Sequence, residues 1–193
     1  IDPTGIEKRI SKEVKAIMPV HYSGASADML AINKIAKKNN IFVIEDSAHA
    51  LGSYNNQNKL IGTENNISCF SFDGIKNITS GEGGAVFTKN KKIYQKICDL
   101  RLLGVHKDTL KRYKNKRSWD FEVYDQGWRY HMSNINAAIG IEQLKRIEFF
   151  KKKRQSISLK YLNELNSIPQ IKFLDIDYKK IMPHIFVVRI MDG

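Results

Sequence analysis

Cysteine is scarce in this 193-residue chain, which holds only Cys69 and Cys98. Two thiols without metal-like spacing exclude a disulfide-built scaffold and a cysteine-ligated metal, and both are read as buried thiols. Long apolar runs are missing as well: none approaches the roughly 20 residues that cross a bilayer, and no basic segment followed by an apolar stretch opens the chain. These absences predict a cytoplasmic protein with no membrane partner. There is no internal repeat and no low-complexity tract. The net charge of +12, from 32 Lys and Arg against 20 Asp and Glu, comes without an aromatic-interleaved basic stripe or a nucleic-acid motif. Lysines such as Lys34, Lys37 and Lys38, and the run Lys151-Lys152-Lys153-Arg154, which we place after a helix, are read as solvated. Nucleic acid is therefore not an expected partner, although a basic surface would help attract a small phosphorylated substrate.

What is present suits a globular α/β protein, with 42% hydrophobic residues, enough for one real core. Val14 to Val20 reads as a buried strand, followed by a loop at His21-Tyr22-Ser23-Gly24. Asp28 then caps a helix carrying Met29, Ile32, Ile35 and Ala36 on one face, with Asn39-Asn40 as its stop. Ile41 to Ile44 forms the next strand, completing a βαβ unit and hence a parallel pair. A polar hairpin-like stretch, Tyr54 to Gly62, precedes strands at Ile67–Phe72 and Gly84–Thr88. Residues 91 to 103 read as a helix, and 104 to 127 as a long basic, aromatic loop of the kind that is usually functional. Ser133 opens a second long helix, with Ile135, Ala138, Ile141, Leu144 and Ile147 at three-residue spacing, running to about Leu165. Beyond Pro169, strand-like stretches lie at Ile171–Leu174 and His184–Ile190.

Ligands of parallel α/β sheets sit beyond the carboxyl ends of the strands. Asp46 ends the strand Ile41–Ile44 and falls at such a place. Lys76 lies in the loop between two strands, just before Gly81-Glu82-Gly83-Gly84, where apolar flanks imply a partly desolvated amine able to attack a carbonyl. A carboxylate to hold a pyridinium nitrogen, a lysine to form an imine and small polar residues to meet a phosphate are what pyridoxal phosphate chemistry requires.

Three ordered strings strengthen this reading: Val43-Ile44-Glu45-Asp46-Ser47-Ala48-His49-Ala50; Phe70-Ser71-Phe72 through Lys76-Asn77 to Gly81-Glu82-Gly83-Gly84; and Gly127-Trp128-Arg129-Tyr130-His131-Met132-Ser133. Together they resemble the DegT/DnrJ/StrS-type sugar-nucleotide aminotransferases, fold type I enzymes that use pyridoxal phosphate. The resemblance implies that Lys76 forms the imine with the cofactor and moves the substrate proton. It implies that Asp46 keeps the pyridine nitrogen protonated, that His49 stands near the ring in place of the more usual glutamine, and that Ser71 donates to the phosphate. At the third string the family's more usual Gly-Tyr-Asn-Tyr-Arg becomes Gly127-Trp128-Arg129-Tyr130-His131. An asparagine that reaches the neighbouring subunit's phosphate is thus replaced by Arg129, which can bind phosphate bidentately.

The resemblance further implies a homodimer, glutamate as amino donor and a nucleotide-linked keto-deoxysugar as substrate, with dTDP-4-keto-6-deoxyglucose favoured by the third string. Ile1 at the start, the strand-like Val187–Gly193 with nothing to pair against, and the absence of a counterpart to the family's phosphate-capping N-terminal helix predict a piece of a longer chain. Residues 1–150 would be the central part of the large cofactor-binding α/β domain, and 151–193 a linking helix with the start of a small C-terminal domain. Alternatives are a relative acting on a different keto carbon, a regulatory relative or a dehydratase on the same scaffold, the latter disfavoured by Lys76 because those enzymes carry histidine there, a plain nucleotide-binding or basic interaction module, and a fragment that is itself non-catalytic.

Overall fold

The computed structural model describes residues 1–106 and 121–191. They group into two compact units, Ile1–Phe87 with Ile135–Gly193, and Thr88–Asn134.

In the first unit, α1 (Pro3–Glu7) is capped by Asp2, whose carboxylate accepts from Thr4 N at 2.9 Å. Strand β1 (Ala16–Ile17), helix α2 (Met29–Asn39) and strand β2 (Phe42–Asp46) form the expected βαβ unit, with β1 and β2 parallel. The Asp28 carboxylate accepts from Ala31 N at 3.0 Å at one end of α2, and Asn40 closes the other in the left-handed region at φ 53°. Met29, Ile32, Ile35 and Ala36 face Ile6, Ile17 and Val43 in one buried cluster. Fully burying a side chain such as Ile32 is worth about 1.5–3 kcal/mol, so this cluster seats the β1–β2 pair that carries Asp46. Of the expected buried strand Val14–Val20 only Ala16–Ile17 forms strand, and the stretch is buried on one face only: Ile17 and Pro19 are buried, while Met18 and Val20 are exposed. Only that face meets α2.

Strand β3 (Ile67–Ser71) runs parallel to β2, and β4 (Gly84–Phe87) runs antiparallel to β3, giving the order β1-β2-β3-β4. The predicted long helix is two: α4 (Asn134–Lys145) and α5 (Ile147–Leu165), once α3 (Lys91–Leu100) of the second unit is counted. Arg146, at φ −101° and ψ 7°, leaves the helical region between them. Its N–H bonds back to Gln143 O at 3.0 Å, closing α4, and its carbonyl accepts from Phe150 N at 3.1 Å, starting α5. The Lys151–Arg154 run therefore lies inside α5 rather than after a helix. Strands β5 (Ile171–Phe173) and β6 (Val188–Ile190) pair antiparallel, so the last strand does find a partner. Phe186 packs among Tyr161, Phe173 and Tyr178, with ring centroids 5.2–5.8 Å away. Among the described residues no helix is long and apolar enough to cross a membrane.

In the second unit, α3 is capped by the Asn90 side chain, which accepts from Lys92 N and Ile93 N. Backbone bridges join Leu102 to Arg129 and Val105 to Val123. The rings of Trp128 and Tyr130 stack with centroids 6.0 Å apart. Of the expected loop 104–127, residues 107–120 lie outside the described residues. Cys69 and Cys98 are free and half-buried rather than buried.

Candidate active site

The end of β2 is pinned from both sides. Asp46 N donates to Pro19 O at 2.9 Å, His21 N donates to Asp46 O at 3.0 Å, and Ser47 N donates to Cys69 O at 2.8 Å on β3. Strand alternation sends Val43 and Glu45 to the buried face under α2, and Asp46 to the opposite face. The Asp46 carboxylate accepts from Ala48 N at 3.0 Å through Oδ1, a local turn that aims the side chain beyond the strand end.

Behind Asp46 lies a buried polar network. Ala27 N donates to His21 Nδ1 at 3.1 Å, leaving His21 Nε2 to donate to Glu45 Oε2 at 2.9 Å. Asn66 Nδ2 donates to the other Glu45 oxygen at 2.7 Å. Burial pushes the Glu45 carboxyl up, but the hydrogen bonds from His21 and Asn66 outweigh it and hold the group below its ordinary value. Every partner is satisfied, which is the condition under which such a network rigidifies its surroundings.

Lys76 occupies the loop between β3 and β4, as the sequence implies. The loop is tightly tied. Phe72 N donates to Gly83 O at 2.8 Å, Ser80 N to Phe72 O at 2.9 Å, and Lys76 N to Asp73 O at 3.0 Å. Asn77 and Ile78 are buried, and Asn77 Nδ2 donates to Leu51 O and Met182 O. Gly81, at φ 79°, permits the turn that a side chain would strain. Ser71 ends β3 opposite Gly84.

His49 links these parts. Burial lowers its pKa, the positive charge of Lys76 lowers it further, and the Asp46 carboxylate opposes both. One imidazole thus feels both groups, which places Asp46, His49 and Lys76 in one electrostatic neighbourhood. The His49 ring lies 4.2 Å from that of His184 and 5.9 Å from that of Tyr22, centroid to centroid. His184 is held near pKa 4 by burial, then by His49, Lys76 and Arg154. Cys69, opposite Asp46 in register, has its thiol pushed up by burial and by the Asp46 charge. Arg129 is exposed and belongs to the Thr88–Asn134 unit.

Three of these residues were not singled out from the sequence: Tyr22, His184 and Arg154. His184 sits at the head of an apolar run after Pro183 and reads as a strand start. Its position comes from the Tyr22–Gly24 turn, where His184 N donates to Ser23 O at 3.3 Å and Ser23 Oγ donates to Ile185 O. Gly24 is required there. At φ 94°, a Cβ would lie 2.5 Å from Met182 O, so Gly24→Ala is expected to cost about 2–4 kcal/mol, read as a lowered urea midpoint. A midpoint unchanged from the parent would refute that close approach.

The depressed imidazoles also set a pH dependence. Between the ordinary 6.5 and about 4, the unfolded chain binds a proton that folded His184 refuses, and His49, also lowered from 6.5, acts in the same direction. Stability is therefore full above the upper value and falls as pH drops through this window. Glu45, lowered from 4.5, acts further down. Comparing denaturation at about pH 7.5 and about pH 5 isolates the imidazoles, and His184→Phe is expected to shrink the difference. An unchanged difference would count against it.

The donor set can be tested against pyridoxal phosphate. A carboxylate at the strand end, an amine in the adjoining loop and an imidazole that feels both charges match what the group needs at its nitrogen, aldehyde and ring. His49 Nδ1, His184 Nδ1 and Ser47 Oγ are buried without hydrogen-bond partners among the described residues, as expected of atoms that face a polar ligand. The residues fit.

Comparison with known proteins agrees. A protein of Methanocaldococcus jannaschii described as uncharacterized protein MJ1066 is 45% identical over 163 residues, which is 84% of this chain and 42% of that one. The Bacillus subtilis spore coat polysaccharide biosynthesis protein SpsC is 37% identical over 169 residues, 88% of this chain and 43% of that one. The structure of Helicobacter pylori PseC, an aminotransferase involved in the biosynthesis of pseudoaminic acid, superposes with a TM-score of 0.87 at 32% identity over 98% of this chain and 49% of that one. The chain spans less than half the length of these curated relatives. Pyridoxal phosphate is the cofactor of the family whose pattern matches residues 1–192. The chain belongs to the DegT/DnrJ/EryC1/StrS aminotransferase family.

Proposed function

We propose that the complete protein is a pyridoxal-phosphate-dependent aminotransferase that converts a nucleotide-linked keto-deoxysugar to the amino sugar, with glutamate as amino donor. dTDP-4-keto-6-deoxyglucose is the substrate this reading favours. The observation that carries it is the neighbourhood of Asp46, His49 and Lys76 at the carboxyl ends of β2 and β3. Family membership and the relatives' roles in sugar and polysaccharide biosynthesis support it.

In this reading Asp46, His49, Ser71 and Lys76 hold the cofactor, with Arg129 contributing to the phosphate site of a partner subunit in a homodimer. When bound, pyridoxal phosphate supplies an electron sink for the carbon that gains or loses the amino group. Lys76 Nζ takes the proton from that carbon and returns it, in each half of the exchange. Asp46 Oδ1 is engaged by Ala48 N–H, leaving Oδ2 to hold a proton on a ring nitrogen. His49 lines the ring face as a neutral imidazole at neutral pH, so it adds a hydrogen-bonding edge without a second cation beside Lys76. Ser71 donates its hydroxyl to phosphate. Residues 1–150 belong to the large domain and 151–193 begin the small one, in a cytoplasmic enzyme.

Absorbance tests this. The complete protein purified with pyridoxal phosphate is expected to be yellow, to bleach on adding glutamate and to recover its colour with the right member of a panel of nucleotide ketosugars. A protein whose spectrum glutamate leaves unchanged would overturn the reading.

A further inference from the structure

Helix α5 turns one edge toward the loop that carries Lys76. Residues 151, 154, 155 and 158 recur at i, i+3, i+4 and i+7 and so share a face; all four are at least half-buried, while Lys152 and Lys153 are exposed. Lys151 Nζ donates to Gly52 O at 3.0 Å and lies 4.5 Å from the Tyr54 ring centre. Gln155 Nε2 donates to Lys179 O and Ile181 O, each at 2.8 Å. Arg154 reaches further. Its Nη1 donates to Pro183 O at 3.2 Å and His184 O at 3.0 Å, and its Nη2 donates to the carbonyl of Lys76 at 3.3 Å.

We propose that Arg154 is a positioning residue for the transamination site, its guanidinium tying the peptide of Lys76 to the peptide of His184. The inference rests on the aminotransferase reading above and adds to it a residue that touches neither cofactor nor substrate. A planar fork with five donors can serve carbonyls from two separate segments at once; an ammonium on a flexible stem holds such a span poorly. The lysine peptide is then anchored on both sides, by Asp73 O at its N–H and by Arg154 at its carbonyl. Asn77, next in sequence, adds a bond to Met182 O at 3.1 Å. The long Lys76 side chain thus starts from a fixed base, and fixing a reacting group is worth large factors because small displacements are costly. The same clamp sets His184, whose ring rests on His49, so one cation registers both groups that flank His49. Burial lowers the Arg154 pKa, but the guanidinium remains charged at neutral pH. That charge faces His184 together with Lys76 and His49.

The test uses the complete protein in three forms, unsubstituted, Arg154→Ala and Arg154→Lys, each treated with pyridoxal phosphate, reduced with borohydride and mapped by mass spectrometry. Lys76 labelling is expected to fall about tenfold in Arg154→Ala, with the surface lysines labelled as before, and to fall less in Arg154→Lys. The His184 imidazole, followed by NMR, is expected to titrate higher in Arg154→Ala and to stay low in Arg154→Lys, which keeps the charge. A purely structural arginine would lower stability without moving Lys76 labelling relative to the surface lysines. Folded Arg154→Ala with parental Lys76 labelling overturns the proposal. If Arg154→Ala does not fold, parental labelling in Arg154→Lys overturns it instead. No label on Lys76 in the unsubstituted protein sinks the aminotransferase reading itself.

Discussion

Lys76→Ala is expected to lower the transamination rate of the complete protein by roughly four orders of magnitude, at the upper end of what a single acid–base group contributes. The site explains the size of the effect. Lys76 sits in a loop closed by backbone bonds between Phe72 and Gly83 and between Phe72 and Ser80, and its amine is the cation that His49 and His184 both feel. On α5, Lys151 is occupied by Gly52 O and the Tyr54 ring, and Lys152 and Lys153 are exposed. In the proposed reading, loss of Lys76 removes the proton carrier, and none of these three lysines stands in for it. The absorbance of the lysine-linked cofactor should vanish with it, while the fold persists, because the Lys76 contacts that order the loop are made by its backbone. Single-turnover kinetics with glutamate measure the loss, and a small added amine should restore part of the rate. A variant that keeps both rate and absorbance would remove Lys76 from the mechanism.

Much of the fold was legible because the relevant signals are local. Asp28 and Asn39-Asn40 bracket α2 by capping and by a left-handed stop, and Met29, Ile32, Ile35 and Ala36 repeat at helical spacing. Asp46 and Lys76 could be placed at a strand end and in a loop because the strands around them are short apolar runs with glycine-rich punctuation. What could not be read depends on contacts distant in sequence or on elements too short to show a period. Five residues of α1 make little more than one turn, so only Asp2 and Pro3 signal it. The break at Arg146 falls inside a continuous helix-forming sequence and is visible only in the backbone angles. Ile135, Ile141 and Leu144 keep a helical spacing yet are exposed in this chain, so periodicity gave the helix but not its burial.

The candidate site divides the same way. Asp46, His49, Ser71 and Lys76 came from ordered strings within about thirty residues, whereas His184 and Arg154 lie far along the chain. A run of four basic residues suggests a wet surface, and from sequence alone Arg154 reads as solvated with its lysine neighbours. Its helical phase separates it from them: with Lys151, Gln155 and the buried Ser158 it forms a face, and Lys152 and Lys153 point elsewhere. That phase was available in the sequence, but the carbonyls that Arg154 meets were not.

Asp46→Asn is the sharper test of the electrostatic half of the site, with an expected loss of about 10²–10³-fold in turnover. The substitution is close to isosteric, and the structural duties of Asp46 survive it. Its backbone stays bonded to Pro19 O and His21 N, and an amide oxygen can still accept from Ala48 N. What disappears is the negative charge that would keep a ring nitrogen protonated, so the loss reports charge rather than shape. Two neighbours register the same change without any cofactor. The Asp46 charge helps push the Cys69 thiol up, so in the variant Cys69 should alkylate faster with iodoacetamide, though burial still restrains it. The charge also opposes the depression of His49, so the His49 imidazole should titrate lower still. Faster Cys69 alkylation and a lower His49 titration with full turnover would show that the charge is present but catalytically idle. Unchanged Cys69 and His49 would mean that Asp46 does not face the site at all.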